Sequence, residues 1–383
     1  MTRISGGWIS SEPTQAVMKM LTGAGNQAYF VGGCVRNALL EKPVADIDIA
    51  TNARPEAVMA LAQAAGLHAI ATGIDHGTVT VVSGHIPHEI TTFRRDVATD
   101  GRRATVDYSD SIEQDARRRD FTMNALYADR EGRVTDPLGG LNDLKARRVR
   151  FIEDAGRRIR EDYLRILRFF RFHAIYGDPD NGLDADGLAA CAANLAGIET
   201  LSRERVGAEV KKLLGSGDPA PAVAAMAQSG VLACVLPGAC AKPLPLLVHL
   251  EAEQGVAPDP MRRLAALGGE DHAKKLRLSR AEARRLDRLR IAAGNAQPAA
   301  VLGYTDGASV AFDVLLLRAA LFETHLPENA ATEVARGAAA VFPVSAADLM
   351  PEYSGPALGA HIKRLESEWI ASDFVLTRAQ LLS

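Results

Sequence analysis

The chain has 383 residues, 47% of them hydrophobic, and a formal net charge of −3. That length exceeds one ordinary core and fits two to four domains, and the slight acidity excludes a chain that is basic throughout, so any nucleic-acid surface must be local. Cys34, Cys191, Cys234 and Cys240 form no Cys-x-x-Cys pair or disulfide framework, and no signal-like or membrane-spanning apolar run occurs; the expectation is a cytoplasmic protein with reduced, mostly buried thiols.

In chain order, residues 1–24 predict a short helix from Pro13 to Leu21 and then a turn at Gly23-Ala24-Gly25-Asn26. The stretch from Tyr29 to Asp48, YFVGGCVRNALLEKPVADID, predicts a strand (Tyr29-Phe30-Val31), a Gly32-Gly33 turn, a short helix carrying Arg36, and a second strand bearing Asp46 and Asp48. Alternation along that strand sends Asp46 and Asp48 to one face and Ile47 and Ile49 to the core. Two carboxylates on one face repel unless a cation lies between them, and a hard divalent ion such as Mg²⁺ suits their oxygens. Glycines at 32 and 33 carry no Cβ to keep a phosphate from the backbone.

A helix start follows at Thr51-Asn52-Ala53-Arg54-Pro55-Glu56, running to about Gly66. Strands are predicted at Ala69–Ala71, Thr78–Val82 and His88–Phe93. If the last lies beside the Asp46–Asp48 strand, Glu89 is a third acid near the metal. His85 and His88 flank Ile86-Pro87 without cysteine partners and are read as structural, not as zinc ligands. The polar segment Arg94–Asp110 has little hydrophobic pattern, and a polar segment of that length inside a compact domain is mobile or functional.

In ARRRDFTMNALY, Arg119 and Asp120 precede Phe121, Met123, Ala125 and Leu126 at the rim of a buried helix, with Asn124 among them. Arg beside Asp there suggests a guanidinium fixed by a carboxylate to grip phosphate or ribose. Val134–Gly140 predicts a strand and tight turn before helix resumes at Leu141. EDYLRILRFFRF, Glu161 to Phe172, predicts a buried helix whose one charged stripe holds Glu161, Arg165 and Arg168, with Asp162 beside it. No strand is expected beyond about residue 150, and Ser279-Arg280-Ala281-Glu282 is a capping box opening a basic helix. Lys145–Phe172 and Met261–Arg290 each hold ten Lys/Arg against four Asp/Glu, which fits a polyanion better than a small acidic substrate.

VGGCVRNALL with ADIDIA, then RRRDFTMNAL, DPLGGLNDL and EDYLRILRFFRF, resemble the ordered motifs of class II tRNA nucleotidyltransferases, the family of CCA-adding enzymes and bacterial poly(A) polymerases. The resemblance is specific over residues 25–215 and looser beyond; Asn37 departs from the Asp that many members carry after the Arg. It implies an α+β chain: a polymerase-beta-like nucleotidyltransferase head (a small mixed sheet with helices) over 25–150 after an N-terminal helix (1–24). An all-helical neck (151–215) for the nucleobase and an RNA-binding body and tail (216–383) follow. It also implies template-independent addition of CMP and AMP from CTP and ATP to the 3′ end of tRNA, with Mg²⁺. Carried over by motif, Asp46 and Asp48 would be catalytic and hold metal. Gly32, Gly33 and Arg36 would hold the triphosphate. Arg119, Asp120 and Asn124 would surround phosphate and ribose, and Asp162, Arg165 and Arg168 would face the base. Arg94–Asp107 corresponds to a flexible loop that accompanies the final A addition. A poly(A) polymerase shares every head motif; a noncatalytic RNA-binding module would lose an acid of the Asp-x-Asp first, and a small-molecule nucleotidyltransferase leaves the basic helices unexplained.

Overall fold

The computed structural model describes residues 2–95, 107–350 and 352–383. The chain forms two compact units, Met1–Ser202 with Gln228–Cys234, and Arg203–Ala227 with Val235–Ser383.

The first unit runs α1 (Gly7–Ser10), α2 (Glu12–Gly23), β1 (Ala28–Val31), α3 (Gly33–Leu39), β2 (Ile47–Thr51), α4 (Pro55–Ala64), β3 (His68–Gly73), β4 (Thr78–Ser83) and β5 (Ile86–Thr92). It continues with β6 (Arg94–Arg95), β7 (Asp107–Tyr108), α5 (Ile112–Arg117), β8 (Tyr127–Ala128), β9 (Val134–Thr135), α6 (Gly140–Lys145), α7 (Ala155–Glu161), α8 (Leu164–Tyr176) and α9 (Ala185–Ala193). Seven strands form one mixed sheet in the order β3-β4-β5-β2-β1-β8-β9, in which only β2 and β5 pair in parallel. The short β6 and β7 pair separately at the two ends of the loop expected at Arg94–Asp107; the rest of that loop, 96–106, lies outside the described residues.

Strand alternation decides which face is covered. Val79, Val81, His88 and Ile90 are buried, and α2 and α4 pack on β4 and β5. Thr80 and Glu89 stay on the open side. His88 is structural, as its position suggested: its ring bonds to Thr14 Oγ1 at 3.0 Å and to the Val81 carbonyl at 3.3 Å, tying α2 to the sheet.

Two expected helices take other forms. The chain from Phe121 to Leu126 is a single 3₁₀ turn leading into β8, not a helix. The Thr122 N–H is taken by the Arg150 carbonyl, and the Thr122 hydroxyl donates to Asp143 at 2.6 Å. Gly140 packs so closely that a Cβ would sit 2.2 Å from the Thr122 carbonyl oxygen, and Asp136 accepts the N–H groups of Gly140 and Leu141. The DPLGGLNDL segment is therefore the brace of that turn. The helix expected from Glu161 is broken: α7 ends there, Asp162 is extended (φ −153°), and its carboxylate accepts the Leu164 N–H at 3.1 Å as α8 begins. Cys34 and Cys191 are buried, but Cys234 and Cys240 are exposed.

The second unit is helical, with α10 (Arg203–Leu214), α11 (Ala220–Gln228), α12 (Val231–Val235, mostly in the first unit), α13 (Leu244–Glu253), α14 (Pro260–Leu267), α15 (His272–Lys275), α16 (Arg280–Gly294), α17 (Ala299–Asp306) and α18 (Ala308–Phe322), followed by shorter helices and one long one, Gly355–Ala371. The capping box at Ser279–Glu282 is present. Its core contains a buried ion network. Glu251 accepts from Arg262 Nε and Arg263 Nε, each at 2.8 Å, and Asp313 accepts from Arg262 at 2.6 Å. Arg263 also donates to the Leu214, Ser216 and Gly217 carbonyls, closing the end of α10. Two of the basic residues of Met261–Arg290 are thus core residues. Removing one partner of a buried pair leaves uncompensated charge, so Glu251→Ala is expected to lose roughly 3–5 kcal/mol in chemical denaturation. A loss below about 1 kcal/mol would show that the network does not hold this unit.

Candidate nucleotide and metal site

The open side of the sheet places Asp48 beside Glu89, its partner in the parallel β2–β5 ladder, with Thr80 next to Glu89 on β4. Asp46 lies in the exposed segment just before β2, so the acids flank the strand's start and are not both within it. Ile47 and Ile49 are buried, 6% and 0% exposed, as alternation requires. The Asp48 carboxylate accepts no hydrogen bond among the described residues. Burial, then the Glu89 and Asp46 charges, push it up to about 6, and Arg119 and Arg36 pull it down. All five groups therefore share one electrostatic neighbourhood.

Gly32 closes β1 with φ +69° and ψ −119°. A Cβ there would meet Arg119 NH1 at 3.5 Å, an ordinary contact, so it is the backbone angle and not the space that requires glycine. Gly33 follows as the first residue of α3, with Arg36 NH2 3.8 Å from where its Cβ would be.

Behind this turn a line of hydrogen bonds fixes the remaining candidates. Arg168 donates twice to Asp120, at 2.8 and 2.5 Å. The other Asp120 oxygen accepts from Asn124 Nδ2 at 2.8 Å and from the Phe121 N–H. Asn124 accepts from Arg36 NH1 at 2.5 Å. Arg36 further donates to Asn37 and to the Tyr176 hydroxyl, and its guanidinium lies 4.0 Å from the Tyr176 ring centroid. Asn37 gives Arg36 a neutral acceptor. Arg165 is held by Glu161 at 2.6 Å and by the carbonyls of Arg158 and Arg118, so most of its five donors are engaged within the protein.

Arg119 behaves differently. Its Nε and NH2 go to Asp115, at 3.2 and 2.9 Å, while NH1, the nitrogen over Gly32, has no hydrogen bond among the described residues. Asp115, Tyr127 and Tyr176 were missed in the sequence. Asp115 had a signal, standing three and four residues before Arg118 and Arg119; Tyr176, reaching Arg36 across 140 positions, had none.

Asp48 and Asp46, with Glu89 alongside, fit a hard divalent cation because their side chains meet no hydrogen-bond donor among the described residues. Among the described residues no group of three His, Cys, Asp or Glu side chains is gathered as a ready metal cluster, so the fit rests on the aspartate pair.

The family pattern described as "Poly A polymerase head domain" matches residues 28–150, and the one described as "Probable RNA and SrmB- binding site of polymerase A" matches residues 183–242. A Geobacillus thermodenitrificans CCA-adding enzyme is 40% identical over 228 residues, covering 59% of this chain and 54% of that protein. Over these regions the chain is similar to CCA-adding enzymes and poly(A) polymerases. The human CCA tRNA nucleotidyltransferase 1, mitochondrial, is 38% identical over 205 residues, 53% of this chain and 47% of that one. The chain spans about half the length of the curated relatives it matches. The crystal structure of the Bacillus stearothermophilus CCA-adding enzyme in complex with CTP superposes with a TM-score of 0.71 at 28% identity, covering 95% of this chain and 94% of that one. The Thermotoga maritima enzyme complexed with tRNA shares the fold, at 18% identity, TM-score 0.70, and coverage of 100% and 98%.

The Asp48 carboxyl, raised to about 6 when folded against about 3.9 unfolded, favours folding below the lower value. That contribution is lost as pH rises through about 6, a cost on the order of 3 kcal/mol at pH 7 without metal. Asp48→Asn is therefore expected to melt higher than the natural sequence in chelator-treated buffer at pH 7.5. It is also expected to lose the rise in Tm that a divalent cation gives the natural sequence, a rise that should shrink below pH 6. An unchanged metal-dependent Tm in this variant would remove Asp48 from the metal site.

Proposed function

We propose that this chain adds CMP and then AMP, from CTP and ATP, to the 3′ end of tRNA without a nucleic-acid template, using Mg²⁺ held by Asp46 and Asp48. The observation that carries the reading is the unsatisfied Asp48 carboxylate beside Glu89 and Asp46, opposite the free arm of Arg119 over Gly32. The ion, when bound, lowers the pKa of the RNA 3′-hydroxyl and neutralises the leaving pyrophosphate. Gly32 and Gly33 admit the triphosphate, gripped by Arg119 and Arg36. Asp120, Asn124 and Arg168 form the wall on the ribose side.

Asp162 accepts hydrogen bonds and Arg165 donates them, a pair that matches the amino-donor and ring-acceptor edge shared by cytosine and adenine. Uracil and guanine present the reverse order, setting acceptor against carboxylate and donor against guanidinium, which disfavours them by roughly a hundredfold. The anchoring of Arg165 by Glu161 and two carbonyls supports this role, since a fixed guanidinium discriminates better than a mobile one. We assign 25–150 as head, 151–215 as neck and 216–383 as an RNA-binding body and tail, in a cytoplasmic enzyme. Among the described residues no helix is long and apolar enough to cross a membrane.

CCA addition is favoured over poly(A) synthesis because the curated relatives at 38–43% identity bear CCA-adding names. With tRNA lacking its 3′ end, CTP alone should give two added cytidines. CTP with ATP should give CCA and then a stop. Asp46→Ala and Asp48→Ala should abolish both while leaving tRNA binding within about threefold. Tens of adenylates added without CTP would establish the poly(A) reading instead, and retention of activity within tenfold in either variant would overturn the metal assignment.

A further inference from the structure

We propose that Asp115 and Tyr127 are positioning residues that aim Arg119 at Gly32, and so set the arm of the protein that receives nucleotide phosphate. The proposal rests on the nucleotidyltransferase reading above.

Asp115 lies in α5 with its side chain 1% exposed, and its side-chain partners are Arg119, Arg118 and Tyr127. Its Oδ2 accepts Arg119 NH2 at 2.9 Å, Arg119 Nε at 3.2 Å and the Tyr127 hydroxyl at 2.8 Å. Its Oδ1 accepts Arg118 Nε at 3.0 Å and the Arg94 backbone N–H at 3.4 Å. Tyr127 is fully buried, donates its hydroxyl proton to Asp115, and accepts Arg119 Nε at 3.1 Å on the same oxygen. Two sides of the Arg119 guanidinium are thus fixed from behind, and geometry leaves NH1 as the one nitrogen facing the glycine turn.

The charge balance agrees. Arg94, Arg118 and Arg119 crowd around this single acid: burial lowers Arg94 first, and Arg118 pushes it down further. Burial alone would raise Asp115, yet Arg119, Arg118 and the Tyr127 hydroxyl hold it well below the usual carboxylate range. One carboxylate lets the guanidiniums coexist and leaves an excess of positive charge directed outward, the complement of a polyphosphate. An amide at 115 would turn an N–H toward guanidinium N–H groups, and a phenyl ring at 127 would lose both bonds of the hydroxyl while keeping its shape.

The test is a mutant cycle read by nucleotide affinity. Dissociation constants for CTP and ATP with Mg²⁺, and separately for tRNA, are measured for the natural sequence, Asp115→Asn, Tyr127→Phe, Arg119→Ala and the two doubles containing Arg119→Ala. Asp115→Asn should weaken nucleotide binding roughly 10- to 100-fold and Tyr127→Phe about fivefold, with tRNA affinity changed less than about twofold. In the Arg119→Ala background each should cost less than about twofold more, because the route through Arg119 is already gone. Equal costs in the two backgrounds, or equal losses of nucleotide and tRNA affinity, would overturn the positioning role. Should Asp115→Asn fail to fold, the Tyr127→Phe cycle decides alone. A natural sequence that binds neither CTP nor ATP would overturn the functional reading and this proposal with it. Normal nucleotide binding by the natural sequence and unaltered binding by both variants would overturn the positioning role only.

Discussion

Asp120, 8% exposed, takes hydrogen bonds from Arg168 on α8, from Asn124 on the 3₁₀ turn and from the N–H of Phe121. Asn124 passes the connection to Arg36 on α3, and Arg36 closes it on Tyr176 at the far end of α8. Three segments distant in sequence are fixed to one another by this single buried carboxylate. Burial by itself would raise it, but Arg168 and its hydrogen bonds hold it below the usual range. An ion buried with all its partners costs much to disturb, so the glycine turn, the 3₁₀ turn and α8 are held in one frame.

Within that frame, unsatisfied charge is what marks the site. Asp120, Asp115, Arg36 and Arg168 have their partners inside the protein. Asp48 is crowded by acids of its own sign, and Arg119 keeps one nitrogen unused. A carboxylate without donors and a guanidinium nitrogen without an acceptor among the described residues are complementary to a cation and to a phosphate respectively. The second unit makes the contrast clear. Its Glu251, Arg262, Arg263 and Asp313 are buried and all paired, which makes them scaffold.

Much of the first unit was legible because its signals are local. Alternation placed Ile47 and Ile49 inward and Asp48 outward, and the strand of Asp48 could be paired with His88–Phe93, bringing Glu89 to Asp48. What failed was whatever depends on partners from elsewhere. The helix expected through Phe121–Leu126 yields to Asp143, Asp136 and the Arg150 carbonyl. The break at Asp162 comes from its carboxylate capping α8. Local counts of Lys and Arg did not show internal pairing for the same reason: Arg148 pairs with Asp184, Arg150 with Asp143 and Arg288 with Asp306, acids that all lie outside the basic runs.

The claim at the centre of this account is that the open-face acids hold a metal ion against the nucleotide phosphates. Crystals grown with CTP and Mn²⁺ test it directly by anomalous scattering at the manganese edge. The account requires an anomalous peak within bonding distance of the Asp46 and Asp48 carboxylates, with the triphosphate density running from it toward Gly32 and Arg119. Bound CTP with manganese elsewhere, or with no manganese at Asp46 and Asp48, would contradict it.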